Sequence, residues 1–424
     1  MKRPDDYDIL DPATIDDPYP WYASLRAHAP VYRVPGTDVH LVSTRALVEE
    51  VLERQKDFSA NLTGGLITGD DGSPAIFDLS EFGTPVDALA TADDPAHAEH
   101  RKLVLPHVTP GRIADFEPTV RAWATEAIDA LVSRGGGDFI ASVADPIPTR
   151  ATALLLGLPV EDADRLLAWA VTGAEILAGP TDRSRLLEVG HETGEMGGYL
   201  AEHLQRAIEN DDGPLRGGVL DTIALSVRSG SLAFADGVAN LVILVSAGGE
   251  STSGLTGNAT RILAEAPALQ ADLRGRLERV PAFVEEALRL ESSFRGHYRV
   301  VKHPTQLGGV ALRAGSRVFL LWGAVNRDPD VFPDPDAVKL DRPNLHDHVA
   351  FGRGIHFCVG ARLARLEARV LLEELLRRTT RFATDPSIPP RYAQSIQVRK
   401  HATLHLQTQG CPANARQGHP PTIK

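Results

Sequence analysis

Near its carboxyl end the chain reads Phe351-Gly352-Arg353-Gly354-Ile355-His356-Phe357-Cys358-Val359-Gly360, and a strongly helical run follows from 361 to 379. The glycines permit backbone conformations that other residues avoid, and they let the backbone approach a flat ligand closely. A thiol just before a helix amino terminus faces backbone N–H groups and the positive end of the helix dipole. This position predicts a lowered pKa for the Cys358 thiol and a thiolate that can bind a metal.

The order of residues in this loop resembles the haem-binding loop of the cytochrome P450 family, Phe-Gly-x-Gly-x-His-x-Cys-x-Gly followed by a helix. The resemblance implies that Cys358 is the metal ligand and binds the iron of haem b (iron protoporphyrin IX) as its proximal thiolate. It also implies that Phe351, Gly352 and Gly360 lie against the cofactor. Without this surrounding pattern, a single cysteine is more often a small buried apolar side chain.

The composition of the chain argues against several classes of protein. Two cysteines in 424 residues do not suggest a disulfide framework or a cysteine-rich zinc site. A formal net charge of −12 argues against nucleic acid as the main partner. The amino terminus lacks the apolar core of a signal peptide, and no stretch reaches the ~18 apolar residues of a membrane span. We therefore expect a cytoplasmic monomer without a membrane anchor.

Hydrophobic periodicity predicts a mainly α protein. Helical patterns cover 21–28, 44–54, 118–133, 160–174, 184–209, 233–266, 268–277, 282–290 and 361–379. Strand patterns cover 31–34, 40–42, 298–301, 309–312, 317–321 and 402–406, so small sheets are expected near the two ends. Residues 61–87 and 327–348 are expected to form long loops. The resemblance, which covers 11–408, implies a single triangular helical domain with a minor β region, and 410–424 is expected to be a mobile tail.

The longest predicted helix has an unusual centre, Ala247-Gly248-Gly249-Glu250-Ser251-Thr252. Two adjacent glycines cost about 1 kcal/mol each in a helix relative to alanine. One explanation is a helix crossing that requires small residues. The other is the resemblance of this stretch to the oxygen-activation motif of cytochrome P450s. It implies that Ala247 and Gly248 border the haem, while Glu250 supplies the acid and Ser251 the alcohol of a proton relay. Threonine is commonest at the alcohol position, so Thr252 is a second candidate.

Candidate partners for the two haem propionates come from separate parts of the sequence. His97 and Arg101 lie four residues apart, a spacing that would place them on one face of a helix. Alone, such a pair indicates a solvated helix face, but it resembles the family's His-x-x-x-Arg motif. His356 and Arg299 resemble two further propionate donors. The resemblance also assigns a structural, non-catalytic triad to Glu286, Arg289 and Arg342.

The resemblance implies a monooxygenase that inserts one oxygen atom from O₂ into a small, hydrophobic organic substrate. Electrons are expected from a ferredoxin and its ferredoxin reductase, because the chain carries no flavin or iron–sulfur motif. A basic patch near the cysteine could dock the ferredoxin, although a solvated helix face explains it equally well. The patch comprises Arg353, Arg362, Arg365 and Arg369.

Two other functions stay open at this point. One is a peroxide-using or oxidative-coupling haem enzyme, and the other is a non-catalytic haem ligand sensor. The expected walls of the substrate pocket are 61–87, Val245 and Ala247 on the long helix, 292–297 and 394–397.

Overall fold

The computed structural model describes residues 2–82, 88–210 and 217–411. Helices dominate it: α1 (Pro12–Asp16), α2 (Tyr19–His28), α3 (Arg45–Glu53), α4 (Ala96–Val104), α5 (Pro110–Ala114), α6 (Glu117–Ser133), α7 (Pro146–Leu156), α8 (Ala163–Ala174), α9 (Arg183–Glu209), α10 (Val219–Arg228), α11 (Phe234–Glu265), α12 (Pro267–Gly275), α13 (Val280–Leu290), α14 (Trp322–Val325) and α15 (Ala361–Arg378). The mainly α class predicted from periodicity is confirmed.

The strands are short and are gathered into small sheets. They are β1 (Val31–Arg33), β2 (Val39–Val42), β3 (Phe58–Ser59), β4 (Gly64–Thr68), β5 (Pro74–Asp78), β6 (Gly136–Asp138), β7 (His297–Val301), β8 (Thr305–Leu307), β9 (Val310–Leu312), β10 (Arg317–Leu320), β11 (Thr379–Thr384), β12 (Arg391–Tyr392), β13 (His401–Thr403) and β14 (His405–Gly410). The largest sheet has the order β1-β2-β10-β7-β3 and is antiparallel except between β2 and β10. In it Arg299 on β7 pairs with Val318 on β10, which fixes its position.

The core is organised around α11, which has 32 residues and is therefore about 48 Å long. It packs against α7, α8, α9, α13 and α15. Helix α15 starts directly after the loop 351–360, which contains Cys358 and is called the cysteine loop below. The contact between α11 and α15 therefore brings the central helix close to the cysteine loop. Among the residues that the structure describes, no helix is both long and apolar enough to cross a membrane.

Helix α7, which packs along α11, is missing from the sequence-based prediction. Its first turn contains Pro146 and Pro148, and proline usually interrupts a helix. The first turn tolerates proline, because its N–H groups have no partner within the helix. The prolines therefore hide the start of a helix that shapes the site described below.

The segment expected to be a long loop, 61–87, instead contains an antiparallel hairpin of β4 and β5. A Cβ at Gly64 would collide with the Phe77 carbonyl oxygen, so the close pairing itself requires glycine. The glycines that suggest a loop here are partly strand residues. Residues 83–87 of this segment lie outside the described residues, as do 412–424 of the expected tail. Gly410 ends β14, and the Cys411 N–H donates to the Arg378 carbonyl at 3.0 Å.

Candidate functional site

The cysteine loop folds back on itself before α15 begins. Gly352 and Gly354 have φ of +68° and +73°, in the left-handed region that disfavours other residues. The Cys358 N–H donates to the Phe351 carbonyl at 2.9 Å and closes the turn. A Cβ at Gly360 would lie 3.8 Å from the Cys358 Sγ, so glycine leaves one side of the sulfur uncovered. The loop therefore presents the thiol with free space beside it.

The Cys358 side chain is accessible and yet enclosed. It is exposed, as are its neighbours Ile355 and Phe357, of which 36% and 43% is accessible. Protein nevertheless surrounds the sulfur so densely that burial raises the pKa of the thiol, against the opposing effect of N–H groups at the start of α15. These two observations agree if the sulfur borders a space inside the protein. The arrangement fits a bulky ligand held against the thiol.

The raised pKa of Cys358 corrects the sequence-based expectation of a lowered one. Removing the sulfur from water costs the thiolate more than the helix N–H groups return. A bound metal cation reverses this balance, because a coordinating thiol is deprotonated. The described residues contain no group of three or more His, Cys, Asp or Glu side chains placed to share a metal. An iron at Cys358 must therefore bring further donor atoms with it, as the nitrogens of a porphyrin do.

The predicted propionate-binding side chains gather beside the cysteine loop. The rings of His97 on α4 and His356 in the loop lie 4.0 Å apart. Arg101 donates from Nη1 to the Phe357 carbonyl at 2.9 Å. Burial, together with the charges of Arg299 and His97, lowers the pKa of His356 to about 3. The structure thus brings residues from α4, β7 and the loop into one positively charged cluster.

Two features of this cluster fit an anionic ligand. The Nε2 atom of His97 is buried without a hydrogen-bond partner, while its Nδ1 lies 3.2 Å from Asp94 Oδ1. Arg299 is only 8% exposed, and burial lowers its pKa to about 10. A buried cation short of counter-charge is costly, so carboxylates of a bound cofactor would stabilise the cluster. A cavity of about 230 Å³ lined by Arg299 and His356 lies beside it. The residues present therefore fit the propionates of haem.

An open strip runs along the otherwise buried middle of α11. Ala247 is exposed and Ser251 is partly exposed, whereas Val245, Gly249 and Thr252 are buried. Residues four apart share one helix face, so the first two form a continuous strip. The Ser251 hydroxyl donates to the Ala247 carbonyl at 2.7 Å. Ala247 and Ser251 therefore offer an accessible face in the middle of α11.

The two adjacent glycines in the middle of α11, Gly248 and Gly249, face a neighbouring helix instead. A Cβ at Gly248 would collide with the Thr152 side chain of α7. One at Gly249 would lie 2.7 Å from the Thr149 Oγ1 atom, also on α7. The helix-crossing explanation therefore accounts for both glycines. That Gly248 borders the haem, as the resemblance implies, stays a prediction.

Thr252, the second candidate for the relay alcohol, points to yet another side of α11. Its side chain is buried and its hydroxyl hydrogen-bonds to Glu367, which lies about 9 Å along α15 from the first residue of that helix. This bond ties α11 to α15. The accessible hydroxyl is that of Ser251.

Glu250 is buried, and its pKa lies close to neutral pH. It is 7% exposed, and burial raises its pKa to about 7, with Lys400 opposing and Asp145 reinforcing the rise. A carboxyl group whose pKa is near the operating pH can both release and recover a proton. Lys400 and Asp145 are far from Glu250 in sequence, and no motif points to either.

The predicted structural triad is assembled and fully buried. Glu286 and Arg289 are both 0% exposed, and their Oε1 and Nε atoms are 2.7 Å apart. The Arg342 Nε lies 3.1 Å from the second carboxylate oxygen, Glu286 Oε2. Arg289 also donates to the backbone carbonyls of Asn326 and Pro335, in the irregular segment ahead of the cysteine loop. The triad therefore joins α13 to the support of that loop.

A second buried carboxylate acts on the cysteine loop, and the sequence reasoning missed its role. Glu285 accepts from Arg365 Nε and Nη2 at 2.7 and 2.8 Å, in a bidentate pair. The Arg365 guanidinium lies 4.5 Å from the centre of the Phe351 ring. Since Phe351 accepts the Cys358 N–H, this pair braces the loop from behind. The only sequence signal was the position of Glu285 directly before Glu286.

The Cytochrome P450 family model matches residues 253–404. Cytochrome P450 144 of Mycobacterium tuberculosis is 39% identical over 397 residues, which cover 93% of this chain and 90% of that protein. The beta-dihydromenaquinone-9 omega-hydroxylase of the same species is 30% identical and covers 95% of this chain and 78% of its own length. CYP109E1 from Bacillus megaterium, solved with testosterone, is 30% identical with a TM-score of 0.81, covering 94% of this chain and 99% of its own. The chain therefore belongs to the cytochrome P450 family, is a haem-thiolate monooxygenase and takes haem as its cofactor.

Proposed function

We propose that this monooxygenase oxidises a small, largely apolar organic molecule with electrons supplied by a ferredoxin. The observation that carries the proposal is the accessible but enclosed Cys358 thiol close to the buried guanidinium of Arg299 and the partly buried guanidinium of Arg101. Haem bound there supplies the binding and reductive activation of O₂. The residues of the chain hold the thiolate, neutralise the propionates, exclude water and move protons.

Contacts between the expected pocket walls support an apolar substrate. The β4–β5 hairpin is tied to the turn before α9, where the Thr68 N–H donates to the Thr181 carbonyl at 3.2 Å. The Ile396 N–H donates to the Ala178 carbonyl at 2.8 Å and brings the 394–397 segment to the same turn. Leu66 and Ile396 are buried in one apolar cluster. The related omega-hydroxylase is named for a menaquinone and the related structure contains testosterone, which are both largely apolar molecules.

A ligand panel tests the substrate class. Steroids, isoprenoid quinones and fatty acids are added to the holoenzyme, with a sugar phosphate as the charged control. An apolar ligand is expected to change the haem spin state and to give an oxygenated product that depends on NADPH, ferredoxin and its reductase. Product formed only with added peroxide would favour a peroxide-using enzyme. Ligand binding without any turnover across the panel would favour a sensor.

Proton delivery is assigned to Glu250 and Ser251. The Ser251 hydroxyl lies on the accessible strip of α11, where it can donate to a bound ligand instead of to the Ala247 carbonyl. Glu250 adjoins it in sequence and, with a pKa of about 7, can resupply the proton at neutral pH. Thr252 is not assigned to this route, because its side chain is buried and its hydroxyl interacts with Glu367.

Ser251→Ala and Thr252→Val form a matched pair that tests this assignment. For Ser251→Ala we expect product formation to fall about 10²-fold while NADPH is still consumed and its electrons leave as hydrogen peroxide. For Thr252→Val we expect unchanged coupling and a stability loss of about 1–3 kcal/mol, because Glu367 loses a buried partner. Peroxide release and thermal unfolding are measured for both variants. Uncoupling in Thr252→Val but not in Ser251→Ala would reverse the assignment.

Three of the four arginines in the basic patch that the sequence suggests for ferredoxin docking are paired with carboxylates in the structure. Arg365 is paired with Glu285, Arg369 with Glu117, and Arg353 with Glu49. Arg362 is exposed, and among the described residues no carboxylate lies within ion-pair distance of it. It borders a groove of about 370 Å³ with apolar walls from α5, α13 and α15, formed by residues such as Pro110, Ile113, Val284 and Leu366.

A second exposed arginine, Arg112, lies on α5 between Pro110 and Ile113, two residues that line this groove. Arg112 on α5 donates to the Gly217 carbonyl at 2.9 Å, and it also has no carboxylate within ion-pair distance in the described part of the chain. Apolar walls and two guanidinium groups that have no carboxylate partner among the described residues suit an acidic protein partner. We therefore place the ferredoxin at this groove rather than over the whole predicted patch.

The variant Arg112→Glu/Arg362→Glu is expected to slow haem reduction by ferredoxin about 10-fold or more at low salt, because charge steering governs association. Peroxide-driven turnover should not change, since it needs no electron donor. Arg313→Glu, in the exposed turn before β10, is the control for altered net charge. Stopped-flow reduction rates are compared across ionic strength. An equal slowing by Arg313→Glu, or no slowing by the double variant, would rule out docking here.

A further inference from the structure

A buried ion pair lies one helical turn from Glu250. The Lys400 Nζ is 2.8 Å from Asp145 Oδ1, and the lysine side chain is 6% exposed. On α11, the Ser253 hydroxyl donates to the same Asp145 oxygen. Residues three apart on a helix are neighbours on its surface, with Cβ atoms about 5–6 Å apart. The ion pair is therefore held beside Glu250 by a residue of the same helix.

The buried ammonium group of Lys400 thus interacts with two carboxyl groups. Asp145 and Glu250 both lie within the electrostatic reach of Lys400, whose charge opposes the burial-induced rise in the pKa of Glu250. An ammonium has more donors than its contact with Asp145 uses. A second ionised carboxylate in this region would be costly without a cation, because water is excluded from it.

We propose that Lys400 is a positioning residue for proton delivery, a single ammonium shared between Asp145 and Glu250 that sets how readily Glu250 ionises. The inference rests on the proposed role of Glu250 as the acid of the relay. When Glu250 is protonated, Lys400 pairs with Asp145, as in this structure. When Ser251 passes its hydroxyl proton to a bound ligand and recovers a proton from Glu250, the ammonium also stabilises the new carboxylate, and a proton taken up from solvent restores the starting state.

The other charged groups near this part of α11 do not act on Glu250. Glu367 on α15 hydrogen-bonds to Thr252, on a different side of the helix. His401, next to Lys400, is kept neutral at physiological pH because burial lowers its pKa to about 3. The α7 side chains that meet the glycines of α11 are neutral threonines. The pKa of Glu250 is therefore set by its burial, by Lys400 and by Asp145.

Infrared titration of the holoenzyme tests the proposal directly. The C=O stretching band of the protonated Glu250 carboxyl is assigned by its loss in Glu250→Gln and then followed against pH. Lys400→Met, of similar length but uncharged, should raise the midpoint by about 1–3 pH units, because an opposite charge at this range favours ionisation by that amount. Asp145→Asn should lower the midpoint, because it removes a negative charge and frees the ammonium. Lys400→Arg should restore the midpoint.

The opposite directions of the midpoint shifts expected in Lys400→Met and Asp145→Asn distinguish this role from a merely structural one. Equal midpoints in the wild type, Lys400→Met and Asp145→Asn would overturn the proposal, as would shifts of the same sign in both variants. If Lys400→Met does not fold, Asp145→Asn and Lys400→Arg still decide it. Hydrogen peroxide release is measured against pH in parallel. Shifted infrared midpoints with an unshifted peroxide profile would leave Lys400 as the counter-ion of Glu250 but would refute the relay itself.

Discussion

Arg289→Met is expected to destabilise the holoenzyme by about 3–5 kcal/mol, because it leaves Glu286 as a buried carboxylate with only part of its compensation. Glu286 is 0% exposed and accepts two hydrogen bonds from Arg289, at 2.7 and 3.0 Å. Arg342 and the backbone N–H of Lys339 remain to stabilise the Glu286 carboxylate. The lost guanidinium also breaks the link from α13 to the carbonyls of the segment before the cysteine loop. Chemical unfolding followed by circular dichroism, together with haem retention, measures both effects.

Two further variants test whether the unpaired charge causes this loss. Glu286→Gln/Arg289→Met removes the uncompensated carboxylate and should be more stable than Arg289→Met alone. Arg33→Met breaks an ion pair with Asp38 in which both side chains are about half exposed, so it should cost no more than about 1 kcal/mol. If Arg289→Met costs no more than Arg33→Met, the triad is not a structural element of this fold.

The proximal side of the site could be predicted from sequence because its residues lie close together in the chain. The glycines, His356 and Cys358 share a ten-residue loop, and their order alone indicates a turn that presents a thiol. The cationic cluster needed only His97 and Arg101, at helical spacing, and Arg299 from the resemblance. What the sequence could not give was the pKa of the thiol, since burial by distant segments outweighs the nearby helix N–H groups.

The side of the site formed by α11 was harder to predict from sequence, because it depends on how α11 is rotated about its own axis. The motif places Ser251 and Thr252 side by side, and only packing decides which hydroxyl meets the open space. Gly248 and Gly249 turn toward α7, and this contact directs Thr252 to Glu367 and leaves Ser251 accessible. Since the prolines hide the start of α7, the sequence offered no means of setting this rotation.

Ion pairs between distant segments explain why the basic patch has fewer unpaired arginines in the structure than the sequence predicts. Arg365 and Arg369 look like a solvent-facing row on an amphipathic helix. Their partners, Glu285 and Glu117, lie on other helices and more than 75 residues away in the chain. Charge counting along the sequence therefore overstates the free positive charge, whereas Arg362 is exposed and has no carboxylate partner in the part of the chain that the structure describes.

Cys358→Ser should abolish monooxygenase activity while leaving the fold intact. Burial already raises the pKa of the more acidic thiol, so a serine hydroxyl at this position stays protonated and supplies no anionic ligand. The side chains of His97, Arg101 and Arg299 are unchanged, so we expect partial haem retention with a lost thiolate signature. The Soret band of the ferrous carbon monoxide complex reports thiolate ligation, and haem content per chain is measured alongside it. Cys411→Ala is the matched control, because that residue follows β14 and meets Arg378 only through its backbone N–H. A thiolate-type spectrum in Cys358→Ser, or its loss in Cys411→Ala, would show that the ligand has been misassigned.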